Sequence, residues 1–337
     1  MFLRNKFREY YLNHYVEGPP ELHRREFGFG DEKNKISFRH MAFKSIDEFN
    51  NYLRRNVPLY VSASVAYYQF PDARPMEKKI WEGADLVFDI DADTSDCTHP
   101  ENLVCDRCLG ETKRSVLVLL DFLREDFGFR DIRVVFSGNR GYHVYVYDKW
   151  VRELDSHSRR EIVDYILSPE FEEILKLGRG KWYERIKRFI LEGISQDRIR
   201  NEYVRNNKEK VYNNIVQDNW DVFKGAIRTW KAYFHNHFPF PLFDSNVTID
   251  KTKLLRVPGT LHGGSGLLCM PVKDIDSFDP LSDPVVFGDE PVPVYGTLPK
   301  LRLVEEFEPR KGFFKIPEYL AVYLTAKGYV KPEREMI

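Results

Sequence analysis

Apolar and polar positions alternate along LVFDID (Leu86–Asp91), just after a break at Gly83, and so short a run with period two predicts a strand. From 111 to 127, Val116, Leu119, Leu120 and Leu123 recur at helical spacing, and Gly128 stands where a helix would end. IRVVF (Ile132–Phe136) and YHVYVY (142–147) are β-branched and aromatic and flank the polar turn Ser137-Gly138-Asn139-Arg140-Gly141. They predict two strands of one mixed sheet. Beyond Ser156 the pattern changes: 159–167, 170–177, 181–194 and 198–234 are charged, with apolar residues three and four apart, and Pro169 is the one proline before Pro239. That is a helical stretch. NVTID (246–250) returns to strand character, 254–262 and the cluster Gly263-Gly264-Ser265-Gly266 follow, and 276–299 is proline-rich without a period, hence mostly loop. The expected organisation is a discontinuous α/β core over 1–150 and 244–300, a helical subdomain over 151–243 and a C-terminal segment over 301–337.

The 337 residues are 42% apolar, enough for a substantial core. Lys and Arg number 51 against 52 Asp and Glu, so nucleic-acid contact needs a local basic surface rather than a global field. No run is long and apolar enough to span a membrane, and residues 1–11 are too charged for a signal peptide, so a soluble cytosolic protein is expected. Three of the four cysteines, Cys97, Cys105 and Cys108, fall within twelve residues, which favours a metal over disulfides.

Four constellations carry candidate chemistry. Asp89 and Asp91 are i and i+2 on one strand, so both carboxylates share a face, together with Asp85 and Asp93, and suit a hard ion such as Mg²⁺ or Mn²⁺. Leu86, Phe88 and Ile90 would pack the opposite face into the core. Ser137, Arg140 and His143 offer three kinds of phosphate donor on a turn whose glycines, Gly138 and Gly141, permit close approach. Asp250, expected on a strand, could add a third carboxylate, with Arg256 and His262 as further phosphate donors; a solvated surface carboxylate is the plain alternative. Cys97-x-His99-x5-Cys105-x2-Cys108 supplies three thiolates and an imidazole, a closed tetrahedral set suited to a structural zinc. Cys269 reads as a small buried residue, and the pair His235 and His237 as packing at a helix end.

WEGADLVFDIDAD (81–93), CTHPENLVCDRC (97–108), FSGNRGYH (136–143) and VTIDKTKLLRVPGTLHGGSGL (247–267), in this order, resemble the small catalytic subunit of archaeal and eukaryotic DNA primase, in the archaeo-eukaryotic primase superfamily. REFGF (25–29) and SASVAYY (62–68) are similar to its N-terminal region, so the likeness covers about 1–150 and 244–275. The resemblance implies a mixed α/β catalytic core flanked by helices, with a zinc-bearing protrusion and a helical subdomain. It implies metal binding at Asp89, Asp91 and Asp250, triphosphate binding at Ser137, Arg140, His143, Arg256 and His262, and zinc at Cys97, His99, Cys105 and Cys108. The implied activity is two-metal, template-directed synthesis of short RNA primers on single-stranded DNA from nucleoside triphosphates, with DNA primers left open. A large primase subunit carrying an iron–sulfur cluster is the implied partner, and the replication forks of the archaeal cytosol the implied place. A metal-dependent nuclease or phosphohydrolase could use similar carboxylates but has less need of a triphosphate cradle.

Overall fold

A computed structural model describes residues 1–100, 102–221 and 225–333. The chain falls into two compact units, one of Met1–Leu117, Phe129–Arg160 and Leu242–Ile337, the other of Val118–Gly128 and Glu161–Pro241.

The first unit is mixed α/β. LVFDID forms a strand over Leu86–Asp91, and with Gly141–Val146, Ile132–Phe136 and Met270–Val272 it makes a four-stranded sheet. The two strands expected in a mixed sheet are indeed neighbours, and all three ladders of that sheet are antiparallel. A second antiparallel sheet orders Phe38–Met41, Phe27–Gly30, Tyr60–Ser64 and Leu254–Arg256. Its apolar face is covered by the helices Phe2–Asn13 and Ile46–Asn56, through Phe7, Tyr11, Phe27, Phe29, Phe49 and Leu53. A second cluster joins Val87, Val135 and Tyr145 of the first sheet to Leu255 of the second, with Val247 and Cys269. Val87 therefore lies in the core, and the polar stretch of its face begins only at Asp89.

Three elements differ from expectation. NVTID is a helical turn, Ser245–Ile249, because the Asp244 carboxylate accepts from the backbone N–H of Asn246 at 2.9 Å while Val247 and Thr248 are buried. An N-cap together with local burial overrides β-branched composition. The proline-rich stretch contains the strand Pro291–Leu298, paired along its length with Arg310–Pro317. Pro291 and Pro293 are tolerated because the other neighbour, Val330–Pro332, pairs only with Val294, Tyr295 and Gly296, leaving the proline side of the strand an edge. The helix expected over 111–127 begins earlier, at Asp106, and ends in a π turn over Phe122–Asp126 before Gly128 at φ +70°.

The second unit is helical: Phe171–Leu177, Lys181–Ser195, Glu202–Asn206, Lys208–Val216 and Ala226–His237. The span 198–234 is thus several helices, restarted by the Asn201 side chain, which caps Val204, and by Gly225 at φ +88°. Residues 222–224 of that span lie outside the described residues. Trp182 sits among Phe122, Tyr165, Phe234, Phe238 and Phe240, and Arg185 pairs with Asp121 and Asp126. Those carboxylates are five residues apart, a spacing that the wider π turn brings onto one face. His235 and His237 lie against the rings of Phe171, Phe234 and Tyr233.

The start of the Leu86–Asp91 strand is anchored by buried charge. Arg25 donates to Asp85 at 2.7 Å, to Tyr67 at 2.7 Å and to the carbonyl of Ser64 at 2.8 Å, while Tyr67 donates to the other Asp85 oxygen at 2.7 Å. Asp85, placed by its sequence position on the face of Asp89 and Asp91, is instead spent inside this network at zero exposure. Arg159 adds bonds of 2.9 Å to the carbonyls of Ala84 and Asp85. Removing Arg25 leaves Asp85 buried and uncompensated, so Arg25→Met is expected to cost about 3–5 kcal/mol, read from denaturant midpoints. Arg24→Met is expected to cost about 1 kcal/mol or less, because Arg24 pairs with the partly exposed Glu21 and Glu82. Equal losses in the two variants would remove burial as the reason.

Candidate functional site

Antiparallel pairing of Leu86–Asp91 with Gly141–Val146 sets Asp89 opposite His143 and Asp91 opposite Gly141. The His143 Nε2 lies 3.6 Å from Asp89 Oδ1, and an Arg140 amine lies 3.4 Å from Asp91 Oδ2. From the second sheet the strand Leu254–Arg256 brings Arg256, and the loop after it brings His262. Asp89, Asp91, Ser137, Arg140, His143, Arg256 and His262, all singled out in the sequence, line one cavity of about 560 Å³. Lys35, Lys253, Lys327, Asn139 and Ser62 line it as well.

The electrostatics of this cavity are unbalanced. Burial, then the charges of Asp91 and Asp244, push the Asp89 carboxyl up to about 7. Burial and the Arg256 charge push His143 down to about 3, and His262 falls well below its ordinary value for the same two reasons. Both imidazoles are therefore neutral near pH 7. His262 Nδ1 accepts the Gly264 N–H at 3.0 Å, which puts its proton on Nε2 as a neutral donor. One guanidinium nitrogen of Arg256 and Nδ1 of His143 are buried with no hydrogen-bond partner. Such atoms normally find one, so the cavity is built for a polar ligand.

Asp250 is not brought to the cavity. As the cap after the turn Ser245–Ile249 it is exposed, accepts from the Thr252 N–H at 2.8 Å and hydroxyl at 2.7 Å, and acts on the charges of Arg39 and Arg159 instead. The acidic neighbour of Asp89 at this end is Asp244, whose backbone N–H donates to the Asp89 carbonyl at 2.9 Å. The strand assigned to NVTID hid it: a strand reading puts the carboxylate at the end of the motif, whereas an Asp-Ser-Asn start is an N-cap signal that puts one at its beginning. Lys253 stands three residues before Arg256 and was within reach of the same reading. Lys35 and Lys327 carry no local signal, since only the tertiary fold delivers them.

Cys97, His99, Cys105 and Cys108 converge, with donor atoms within 4.8 Å of one another. The Sγ atoms of Cys97 and Cys105, the Sγ atoms of Cys105 and Cys108, and Cys108 Sγ with His99 Nε2 are each 3.8 Å apart. Zinc–sulfur bonds of about 2.3 Å in a tetrahedron require sulfurs about 3.8 Å apart, so the set can hold a metal such as zinc. His99 Nδ1 donates to the Pro100 carbonyl at 2.9 Å, which leaves Nε2 free to coordinate. Cys269 is buried in the core, and its thiol is pushed up to about 12 by burial.

The turn glycines make room for neighbouring chain. A Cβ on Gly138 would lie 3.0 to 3.1 Å from Leu267, Cys269 and His262, at φ +81°, and Ser265 donates its hydroxyl to the Gly138 carbonyl. On Gly141 it would lie 2.6 Å from Asp91 Oδ1 and would also meet the Ile90 carbonyl. Both glycines let chain approach chain, fixing the two basic segments and the acidic strand against one another. Gly141→Ala is accordingly expected to cost about 1–3 kcal/mol and displace Asp91, seen as a lower melting temperature together with weaker divalent-metal binding. Unchanged values for both would show that the strand pair accommodates a methyl group.

Residues 88–274 match the model of the DNA primase small subunit family. Over 98% of both chains the sequence is 37% identical to the DNA primase small subunit PriS of Methanothrix thermoacetophila, and over 97% of both it is 36% identical to that of Archaeoglobus fulgidus. The same protein of Picrophilus torridus is 33% identical over 95% of both. With the matched segment taking in Asp89 and Asp91, the basic turn and the cysteine cluster, the chain belongs to the DNA primase small subunit family.

Proposed function

We propose that this chain is the catalytic subunit of a primase, building short RNA primers on single-stranded DNA by template-directed nucleotidyl transfer, with deoxynucleotide use left open. The observation that carries the reading is the single cavity in which Asp89 and Asp91 face Arg140, Arg256, Lys253 and the neutral donors Ser137, His143 and His262. A nuclease needs the acids. It does not need so many phosphate donors opposite them.

Asp89, Asp91 and Asp244 would hold Mg²⁺ or Mn²⁺, and the elevated Asp89 carboxyl supports this, because crowded, half-desolvated carboxylates are relieved by a cation. Their donor atoms do not close into a cage like that of the cysteine cluster, which among the described residues is the one such group. Hard ions in phosphoryl-transfer sites typically take one or two carboxylates and complete their shell with water and substrate phosphate. When bound, such ions neutralise charge on the reacting phosphate and lower the pKa of the attacking hydroxyl. The chain's own donors do the rest. Arg256 and Arg140 hold the triphosphate, His262 offers its Nε2–H, and Ser137 and His143 sit at the base of the acidic strand. Since these dipoles and charges are fixed before the substrate arrives, they stabilise the growing charge on the leaving pyrophosphate with little reorganisation.

Zinc in the Cys97 cluster would be structural, because four protein ligands leave no open position. With three cysteines there and Cys269 buried in the core, an iron–sulfur cluster belongs to a large-subunit partner. No helix among the described residues is long and apolar enough to cross a membrane. The archaeal relatives suggest work at replication forks in the cytosol.

The test is incubation with single-stranded DNA, labelled nucleoside triphosphates and Mg²⁺ or Mn²⁺, with and without a large subunit. Template-dependent products are expected, and template degradation without incorporation would sink the proposal. Asp89→Ala, Asp91→Ala and Asp244→Ala are each expected to lower turnover by about 10²-fold or more, whereas Asp250→Ala stays near wild type. Full loss in Asp250→Ala with activity retained in Asp244→Ala would return the third carboxylate to Asp250. Metal analysis is expected to find about one zinc per chain, and Cys105→Ser to lower the melting temperature. A fully folded, zinc-free preparation of equal stability would overturn the structural assignment.

A further inference from the structure

Lys327 reaches the cavity from the far end of the chain. It caps the helix Glu318–Ala326, whose residues Tyr319, Leu320, Ala321, Val322, Tyr323 and Leu324 are all buried, so its backbone position is set by the core. Its ammonium donates to Asn139 Oδ1 at 2.7 Å, inside the basic turn, leaving two N–H donors to spare. The charges that bear on it are those of Arg140 and Lys35, and the group next to it is the Tyr323 ring, with Nζ 5.4 Å from the centroid. No carboxylate among the described residues pairs with it. Burial and the two neighbouring cations hold this lysine well below its ordinary range, at about 8. A half-buried ammonium among cations is unfavourable unless an anion joins it, and the cavity that Lys327 lines is where a triphosphate is placed by the preceding reading.

The segment carrying Lys327 is tied to the cysteine loop. Asn102, between His99 and Cys105, donates its amide to the Lys327 carbonyl at 3.1 Å and accepts the Tyr329 hydroxyl at 2.8 Å. Arg302 adds a fork onto Asp106, at 2.7 and 3.0 Å, beside the last two cysteine ligands. The cysteine loop, which a bound metal would stiffen, is thus a second support for this segment beside the core packing of its helix.

We propose that Lys327 is a further ligand of the incoming nucleotide's phosphates and that the metal loop positions it through Asn102. The proposal rests on the nucleotide reading of the cavity. Its consequence is a selective one. Lys327 should matter for a nucleoside triphosphate and be nearly silent for the matching monophosphate, because its target is the phosphate chain and not the base or sugar.

The experiment measures binding of ATP and of AMP, in the presence of Mg²⁺, to the full-length wild-type chain and to Lys327→Ala, Lys327→Gln, Lys327→Arg and Asn102→Ala. Melting curves establish that each is folded. The neutral variants are expected to bind ATP about tenfold or more weakly with AMP affinity unchanged, and Lys327→Arg to keep most of the ATP preference. Asn102→Ala is expected to lose ATP affinity in part, again sparing AMP. Equal weakening toward ATP and AMP, or wild-type ATP binding in a folded neutral variant, overturns the role of Lys327. Wild-type ATP affinity in Asn102→Ala overturns its positioning by the metal loop. A wild-type chain that binds ATP no better than AMP overturns the nucleotide reading itself, a result distinct from all of these.

Discussion

The register between Leu86–Asp91 and Gly141–Val146 is the constraint on which the site depends. Because successive strand residues point to opposite faces, a slip of one position would send Asp89 and Asp91 toward Phe88's side, where Phe243 packs at 5.1 Å, and expose Phe88 and Ile90 to the cavity. Two features hold the register. Gly141 admits the Asp91 backbone at a distance no other residue tolerates, and the Arg25–Asp85–Arg159 network fixes the strand's beginning through charges that have nowhere else to go. Apolar residues on both faces of the first half of the strand pack into the core, and in the second half Asp89 and Asp91 turn to the cavity while Ile90 stays buried. Six residues thus serve core and cavity along their length.

The cavity gathers cations more readily than anions, with Lys35, Arg140, Lys253, Arg256 and Lys327 set against Asp89 and Asp91. Arg256 is stripped of water and left with an unpaired nitrogen, and Lys327 keeps its proton only weakly. Opposite them Asp89 is pushed up by burial and then by its acidic neighbours. Each group is shifted in the direction that the proposed metal–triphosphate complex would relieve, phosphates answering the cations and a metal the carboxylates. The contacts between acid and base here are long, 3.4 Å for Arg140 with Asp91 and 3.6 Å for His143 with Asp89, and Arg256 and Lys327 pair with no carboxylate among the described residues, unlike Arg185, which closes on Asp121 and Asp126 in the helical unit.

Much of this was legible because it is local. LVFDID and IRVVF read as short strands from their own composition, and the three cysteines and one histidine within twelve residues converge with little help from the rest of the fold. What was not legible depends on competition between local signals or on distant chain. NVTID has strand composition, yet one hydrogen bond from the Asn246 N–H to Asp244 and the burial of Val247 and Thr248 turn it into helix, and that single change exchanges Asp250 for Asp244 beside Asp89. Pro291 and Pro293 disguise a strand whose proline side happens to be an edge. Gly138 and Gly141 were visible as turn glycines, but whether such a residue makes room for a ligand or for another segment is a tertiary fact.

The C-terminal segment shows how far such tertiary facts reach. Nothing in LAVYLTAK marks its lysine as other than a helix-end cation, a common and bland position. One hydrogen bond from the Asn102 amide to the Lys327 carbonyl, with a second that Asn102 accepts from Tyr329, ties its segment to the cysteine loop, and the bond its ammonium donates to Asn139 ties it to the basic turn. The cysteine loop thereby acquires a physical connection to the cavity. In this arrangement the cysteine loop does for the third segment what Gly138 and Gly141 do for the first two: it holds distant backbone in a fixed relation with Asp89 and Asp91, so that Arg140, Arg256, His262 and Lys327 line one cavity.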